Sequence, residues 1–119
     1  MKTSEAVAGL GSLAQETRLS IYRLLVKRGP EGLPAGAIAE TLDVPASSLS
    51  FHLQQLMHTG LITQQRKSRQ VFYAAHFGRM NALVAFLTEN CCSGAICDVP
   101  SRNEIATRAE SGRTRRRLG

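Results

Sequence analysis

The sequence predicts a mainly α-helical domain that carries one β-hairpin, and three observations lead to this prediction. Apolar residues recur at helical spacing in five segments, two β-rich runs flank one short polar turn, and glycine or proline separates most segments. At 119 residues the chain is long enough for one hydrophobic core, yet close to the size at which a second subunit commonly contributes buried surface. We therefore expect one small domain.

Two amphipathic helices are predicted at the start of the chain. The apolar positions of the first helix follow Ser4 at helical spacing: Val7, Leu10, Leu13 and Ala14. Gly9 and Gly11 each weaken this helix by up to about 1 kcal/mol relative to alanine, so we expect a packing partner to hold it. The second helix is expected from Glu16 to Arg28, because Gly29 and the proline after it form a stop signal.

Two further helices are predicted on either side of a tight turn. A short helix is expected to begin at Pro34, which suits a first helical position, and to end at Leu42. After the break at Asp43-Val44-Pro45, a fourth helix is expected from Ala46 to His58. Its leucines share one side: Leu49, Leu53 and Leu56. This order is that of a helix-turn-helix, in which the second helix enters the major groove of DNA.

A basic-tipped hairpin and a fifth helix complete the predicted fold. The β-rich runs Leu61 to Arg66 and Gln70 to Ala75 flank the polar turn Lys67-Ser68-Arg69. Apolar residues then recur at helical spacing up to about Glu89: Phe77, Met80, Leu83, Val84 and Leu87. The predicted class is therefore a winged helix-turn-helix, mainly α with a β-hairpin wing.

The net charge of +6 is concentrated in two segments. One is the hairpin tip, and the other is the tail at 98–119, where six arginines face three acidic residues. Localised positive charge suggests contact with a polyanion, although charge alone fits a membrane surface or an acidic protein nearly as well. No apolar run approaches the roughly 20 residues of a membrane span, and no signal-peptide pattern is present, so we expect a cytoplasmic protein without a membrane partner.

The fourth helix and the hairpin tip contain the candidate DNA-binding residues. Short hydroxyls near the start of the helix can bind phosphate or reach base edges: Ser47, Ser48 and Ser50. Gln54 or Gln55 can pair with adenine through two hydrogen bonds, and His52 can contact phosphate or base. The basic side chains of the tip can clamp the backbone or the minor groove: Arg66, Lys67 and Arg69. The alternative for each residue is an ordinary solvent-facing side chain.

Two stretches resemble the ArsR/SmtB family of dimeric, metal-sensing winged-helix repressors. The more characteristic one runs from Leu42 to Leu56 and continues in Thr59-Gly60-Leu61-Ile62; the supporting one is Gln15-Glu16-Thr17-Arg18-Leu19. The resemblance covers approximately Glu5 to Leu87. It implies a homodimer formed through the first and fifth helices. It also implies that two recognition helices enter adjacent major grooves of an inverted-repeat operator in double-stranded DNA.

The resemblance also concerns three cysteines within seven residues: Cys91, Cys92 and Cys97. The third helix lacks the cysteine motif of the best-known arsenic sensors, and His76 alone cannot supply the ligands that zinc sensors carry on the last helix. The cluster is similar to that of arsenic-responsive members whose cysteines follow the last helix, which implies that all three are ligands. Their odd, clustered number fits reduced thiols better than structural disulfides.

Three thiolates suit trivalent arsenic, which is thiophilic and needs no fourth protein ligand, whereas tetrahedral zinc would need one. The expected inducer is arsenite, and antimonite or methylated trivalent arsenic shares the chemistry. The expected function is repression of an arsenic-resistance operon, relieved when the metalloid binds. A thiol-redox regulator, a cadmium-, lead- or zinc-responsive regulator and, from another class, a small thiol oxidoreductase are the alternatives. No CxxC motif is present, and we expect no enzyme.

We therefore expect three regions along the chain. Residues 1–90 form the DNA-binding and dimerisation domain, residues 91–97 form the inducer-binding segment, and residues 98–119 form a basic tail. The tail contains too few apolar residues for a core, so we expect most of it to be disordered.

Overall fold

The computed structural model describes residues 1–89; the cysteine segment at 91–97 and the basic tail at 98–119 lie outside the described residues. Residues 1–87 form one compact unit. Its elements are, in chain order, α1 (Thr3–Leu13), α2 (Glu16–Arg28), β1 (Leu33–Pro34), α3 (Ala35–Leu42), α4 (Ala46–His58), β2 (Ile62–Lys67), β3 (Gln70–Ala75) and α5 (Phe77–Leu87). The predicted winged helix-turn-helix class is confirmed.

The turn between α3 and α4 sets the direction of α4. Asp43 ends α3 in the left-handed region, with φ 55°, and the Val44 amide donates to the Ala39 carbonyl at 3.0 Å. The extended backbone of Pro45 then precedes α4, and its carbonyl accepts from the Leu49 amide at 2.9 Å. A three-residue break with fixed proline geometry thus separates two helices that pack on the same core.

The wing is the hairpin of β2 and β3, which forms a three-stranded antiparallel sheet with β1 in the strand order β1-β3-β2. β2 pairs with β3 from Ile62 opposite Ala75 to Lys67 opposite Gln70. The turn therefore consists of Ser68, with φ 57°, and the arginine that follows it. The sequence predicts Lys67 in this turn, whereas in the structure Lys67 ends β2.

The structure corrects the prediction of a helix that begins at Pro34. Leu33–Pro34 pairs with Phe72 and Tyr73 as the short edge strand β1, and Pro34 then caps α3 from outside the helix. A two-residue strand shows no recognisable alternation in sequence. An edge strand tolerates proline, because the N–H group that proline lacks is not needed for a hydrogen bond inside the sheet.

The core joins α2, α3, α4 and the start of β2. Its fully buried large side chains are Ile21, Leu25, Ile38, Leu49, Leu56 and Leu61. The predicted leucine face of α4 is confirmed, since Leu53 is also buried between the other two leucines. None of the helices within the described part of the chain is both long enough and apolar enough to cross a bilayer.

The orientation of α1 differs from the prediction. Its buried residues are small: Ala6, Gly9 and Ser12. Val7 is 63 % exposed and Leu10 is 41 % exposed, so these two residues of the predicted apolar stripe face away from the core, whereas Leu13 packs against it. Gly9 is itself buried against the domain, where an added Cβ would lie 4.0 Å from the side chains of Leu61 and Leu83.

We expect Gly32→Ala to lower the free energy of unfolding by at least about 2 kcal/mol, because a non-glycine residue in a left-handed conformation costs on the order of 1–3 kcal/mol. Gly32 has φ +74°, and an added Cβ would also collide with the Tyr73 backbone carbonyl on β3. Gly36→Ala is the matched control, since Gly36 lies in α3 with open space around it. Urea unfolding compares the two variants, and equal midpoints would contradict the prediction.

Candidate nucleic-acid interface

The outward face of α4 is the first part of the candidate interface. The 3.6-residue repeat places one set of side chains opposite the buried leucines: Ser47, Phe51, Gln54 and His58. All four residues are exposed. The other predicted DNA-binding serines and glutamine are exposed beside them: Ser48, Ser50 and Gln55. Every serine and glutamine of the predicted set is thus available to a ligand on this side of the helix.

His52 is directed differently from these residues. Its ring is half-buried, and its Nδ1 atom lies 3.2 Å from Nη1 of Arg18 on α2. A guanidinium group can only donate, so Nδ1 accepts and the imidazole proton resides on Nε2. Burial and the nearby positive charge of Arg18 lower the pKa of His52 below 6.5. His52 is therefore neutral near pH 7, and only its Nε2–H remains for a predicted contact with DNA.

Arg18 connects α1, α2 and α4. Its Nε donates to the Ser12 carbonyl on α1 at 2.6 Å, while its Nη1 holds His52 on α4. The hydroxyls of Ser12 and Thr59 lie 3.1 Å apart at the C-terminal end of α4. Two polar contacts therefore attach the candidate recognition helix to α1. Sequence reasoning missed Arg18 in this role, because no local pattern indicates a contact between residues 34 positions apart.

The wing carries the second part of the candidate interface. Arg66 and Arg69 are exposed, and within the described residues neither guanidinium group has a hydrogen bond or an ion pair. Lys67 is held back against the sheet, since its Nζ lies 5.0 Å from the centre of the Phe72 ring and 3.4 Å from the Glu31 carbonyl. The structure therefore distinguishes two free guanidinium groups from one ammonium group that already has partners.

The recognition helix and the wing are joined by a tight connection. The amide of Gly60, with φ +81°, donates to the Met57 carbonyl at 3.0 Å, and the Leu61 amide donates to the Leu56 carbonyl at 3.1 Å. Leu61 and Ile62 are buried. The wing thus begins directly at the C-terminal end of α4, in a fixed geometry. The polar hydrogen-bonding groups of α4 and the positive charge of the wing therefore lie on consecutive elements of the chain.

A third surface on the domain is apolar. Large side chains of α1 and α5 are between 41 and 63 % exposed: Val7, Leu10, Val84 and Leu87. Leu83 is the buried residue of α5. Single exposed apolar residues are common on monomers, but two neighbouring helices that each expose a pair are typical of a surface that another protein covers.

The predicted metal ligands Cys91, Cys92 and Cys97 lie outside the described residues. Within residues 1–89, no three side chains of His, Cys, Asp or Glu come together in a way that could hold a metal ion. The proposed ligand set therefore depends on the sequence of the cysteine segment alone.

We expect the stability of the domain to fall with decreasing pH more steeply in the natural chain than in His52→Asn. Asparagine keeps an acceptor for Arg18 but does not titrate. The pKa of His52 is lowered on folding, so the unfolded chain binds a proton that the folded chain excludes once pH falls below about 6.5, and stability is lost there. Melting temperatures at pH 7.5, 6.5 and 5.5 measure this difference.

His58→Asn is the matched control for that experiment, since it removes an exposed histidine from the same helix. Its curve is compared with that of His52→Asn, so that the effect of removing His52 is separated from the effect of removing any histidine of this helix. Parallel curves for His52→Asn and the natural chain would show that folding does not lower the pKa of His52.

Comparisons with known proteins agree with this geometry. A family model described as a helix-turn-helix domain matches residues 13–65. The HTH-type transcriptional regulator YgaV of Escherichia coli (strain K12) is 31 % identical over 88 residues, which are 74 % of this chain and 87 % of that relative.

Solved structures show the same fold. An ArsR-like transcriptional regulator from Rhodococcus sp. RHA1 superposes with a TM-score of 0.68 at 24 % identity, over 76 % of this chain and 83 % of the other. The homodimeric winged helix-turn-helix domain of Mb0332 from Mycobacterium bovis, a possible ArsR-family regulator, has a TM-score of 0.58 at 24 % identity, over 79 % and 87 % of the two chains.

Because the chain shares its family with a transcriptional regulator, YgaV, it is a regulator and not the thiol oxidoreductase among the alternatives. The outward polar face of α4 and the basic wing are the features by which such a fold contacts DNA. The chain belongs to the helix-turn-helix transcriptional regulators, and within them it has the winged-helix fold of the ArsR-like members.

Proposed function

We propose that this chain is a homodimeric repressor of an arsenic-resistance operon, released from its operator when trivalent arsenic or antimony binds Cys91, Cys92 and Cys97. The observation that carries the DNA-binding part is the outward face of α4, where exposed serines and glutamines lie opposite a fully packed leucine face. The observation that carries the inducer is the cluster of three cysteines that begins four residues after α5 ends at Leu87.

The proposed contacts with DNA are of two kinds. Contacts with phosphate position the protein, and contacts with the bases recognise the sequence. Arg66 and Arg69 are free to neutralise phosphates, which supplies affinity without sequence preference. Gln54 and Gln55 can form paired hydrogen bonds with adenine, and Ser47 can reach phosphate or base from the first turn of α4. Lys67 contributes less, because binding phosphate would require it to leave Phe72 and the Glu31 carbonyl.

A dimer supplies the symmetry that an inverted repeat requires. The exposed apolar side chains of α1 and α5 support the interface, since removing apolar surface from water stabilises a complex by about 25 cal/mol per Å². The homodimeric state of the similar Mb0332 domain supports the same arrangement. Two recognition helices then lie about 34 Å apart, which is one turn of DNA.

The three cysteine thiolates determine which inducers suit the proposed site. Trivalent arsenic forms three bonds to sulfur and keeps a lone pair, so three thiolates complete its shell. Antimonite shares this geometry, and methylated trivalent arsenic needs only two thiols. Repression is relieved if the metalloid binds the DNA-incompetent form more tightly, and a coupling of about 1–3 kcal/mol corresponds to a roughly 5- to 150-fold loss of DNA affinity.

We expect arsenite to release the natural chain from DNA but not to release Cys92→Ser. The measurement is fluorescence anisotropy on DNA from upstream of the gene, at fixed salt and under reducing conditions. Ser93→Ala is the matched control inside the cysteine segment and should respond as the natural chain does. Loss of both DNA binding and release in Cys92→Ser would contradict a separate inducer site. Release by diamide but not by arsenite would favour the thiol-redox alternative.

We expect the double variant Arg66→Glu/Arg69→Glu to weaken DNA binding and to lower the slope of log K against log salt by about 1 for each phosphate that the wing no longer neutralises. Lys67→Gln should change the slope less, because its ammonium group is already engaged. The double variant Arg23→Glu/Lys27→Glu makes the same change of charge on α2 and serves as the control. Salt titrations of the anisotropy signal compare the three, and an unchanged slope for the wing variant would exclude the wing from the interface.

A further inference from the structure

We propose that Phe51 is a base-recognition residue, and that its ring contacts the C5-methyl group of a thymine in each operator half-site. The inference rests on the proposed binding of operator DNA and deepens it. It assigns a base preference to one side chain of α4 that the sequence did not single out.

The position of Phe51 is the first observation. The side chain is 54 % exposed and lies near the middle of the outward face of α4, opposite Leu49 and Leu53. Its neighbours on this face are polar: Ser47, Ser48, Gln54 and Gln55. A large aromatic ring in this setting is neither part of the core nor part of the apolar surface of α1 and α5. It lies where the major groove is expected.

The support beneath the ring is the second observation. The Phe51 and His52 rings meet edge to face, with centroids 5.8 Å apart and an angle of 63° between their planes. This is a favourable aromatic geometry. His52 is in turn held by Arg18, which is bonded to the Ser12 carbonyl on α1. A ring with two side-chain torsions, supported by a fixed neighbour, loses little conformational entropy on binding.

The chemistry of the major groove determines the ligand. Among the four standard bases, only thymine presents an apolar group at this edge, the C5-methyl. Adenine, guanine and cytosine present amino groups, ring nitrogens or carbonyl oxygens, which lose hydrogen bonds to water when an apolar ring covers them. An exposed phenylalanine therefore favours thymine by attraction and disfavours the other bases by desolvation.

Selection from a random DNA pool provides the first test. The natural chain should enrich an inverted repeat with thymine at one symmetric pair of positions. Phe51→Ala should enrich the same repeat without a preference at that pair, and Phe51→Leu should retain a weaker preference. Leu19→Ala removes another exposed apolar side chain, 43 % exposed on α2, and should leave the repeat unchanged. A thymine preference that persists in Phe51→Ala would overturn the proposal.

Replacing that thymine by deoxyuridine provides the second test, because it removes only the methyl group. The natural chain should lose roughly fourfold in affinity for each half-site, the effect of leaving one methyl group unburied, and about 15-fold when both are changed. Phe51→Ala should be insensitive to the change. 5-Methylcytosine should bind better than cytosine at this position for the natural chain only. Equal deoxyuridine penalties in both proteins would overturn the proposal.

The outcomes distinguish an error in the proposed operator binding from an error in the proposed role of Phe51. If the natural chain enriches no sequence, both are wrong. If it enriches a repeat that shows no methyl dependence at any thymine, operator binding stands and only the role of Phe51 is wrong. The melting temperature of Phe51→Ala provides the folding control, and Phe51→Leu keeps the test decisive if the alanine variant unfolds.

Discussion

Burial of the leucine face of α4 is the constraint on which the rest of the structure depends. Leu49, Leu53 and Leu56 pack into the core with Ile21 and Ile38, and each such side chain contributes about 1.5–3 kcal/mol when fully buried. A small domain has only about 5–15 kcal/mol of net stability, so α4 cannot rotate about its axis without unfolding the domain. Its opposite face is therefore presented to solvent in one orientation, which a recognition helix requires.

The polar contacts of α4 are directed toward α1. Arg18 bridges Ser12 and His52, and Thr59 lies beside the Ser12 hydroxyl. Because α1 buries only small residues, it approaches the domain closely enough for these contacts and leaves Val7 exposed on its outer side. α1 therefore contacts the recognition helix on one side, and on its other side it forms part of the surface that we assign to the second subunit. A change at the subunit interface has a short, continuous physical path to α4.

In the function that we propose, affinity and selectivity come from different groups on the candidate interface. Free guanidinium groups on the wing act at long range and do not distinguish bases, whereas the exposed face of α4 combines hydrogen-bonding side chains with one aromatic ring. The fold separates these roles because the wing follows α4 through the tight turn at Gly60. Phosphate contacts can thus position the helix before its side chains meet the bases.

The sequence by itself determined the class of fold and the bounds of α2 and α4, and it is the basis of the proposed chemistry of the cysteine cluster. Strong local signals explain this, since Gly29 ends α2, Pro45 precedes α4, and leucines at helical spacing mark the buried face. Only the tertiary structure decided which face of α1 is buried, that Arg18 holds His52, and that Lys67 lies on Phe72. These features depend on close approach between distant segments, and no local periodicity encodes them.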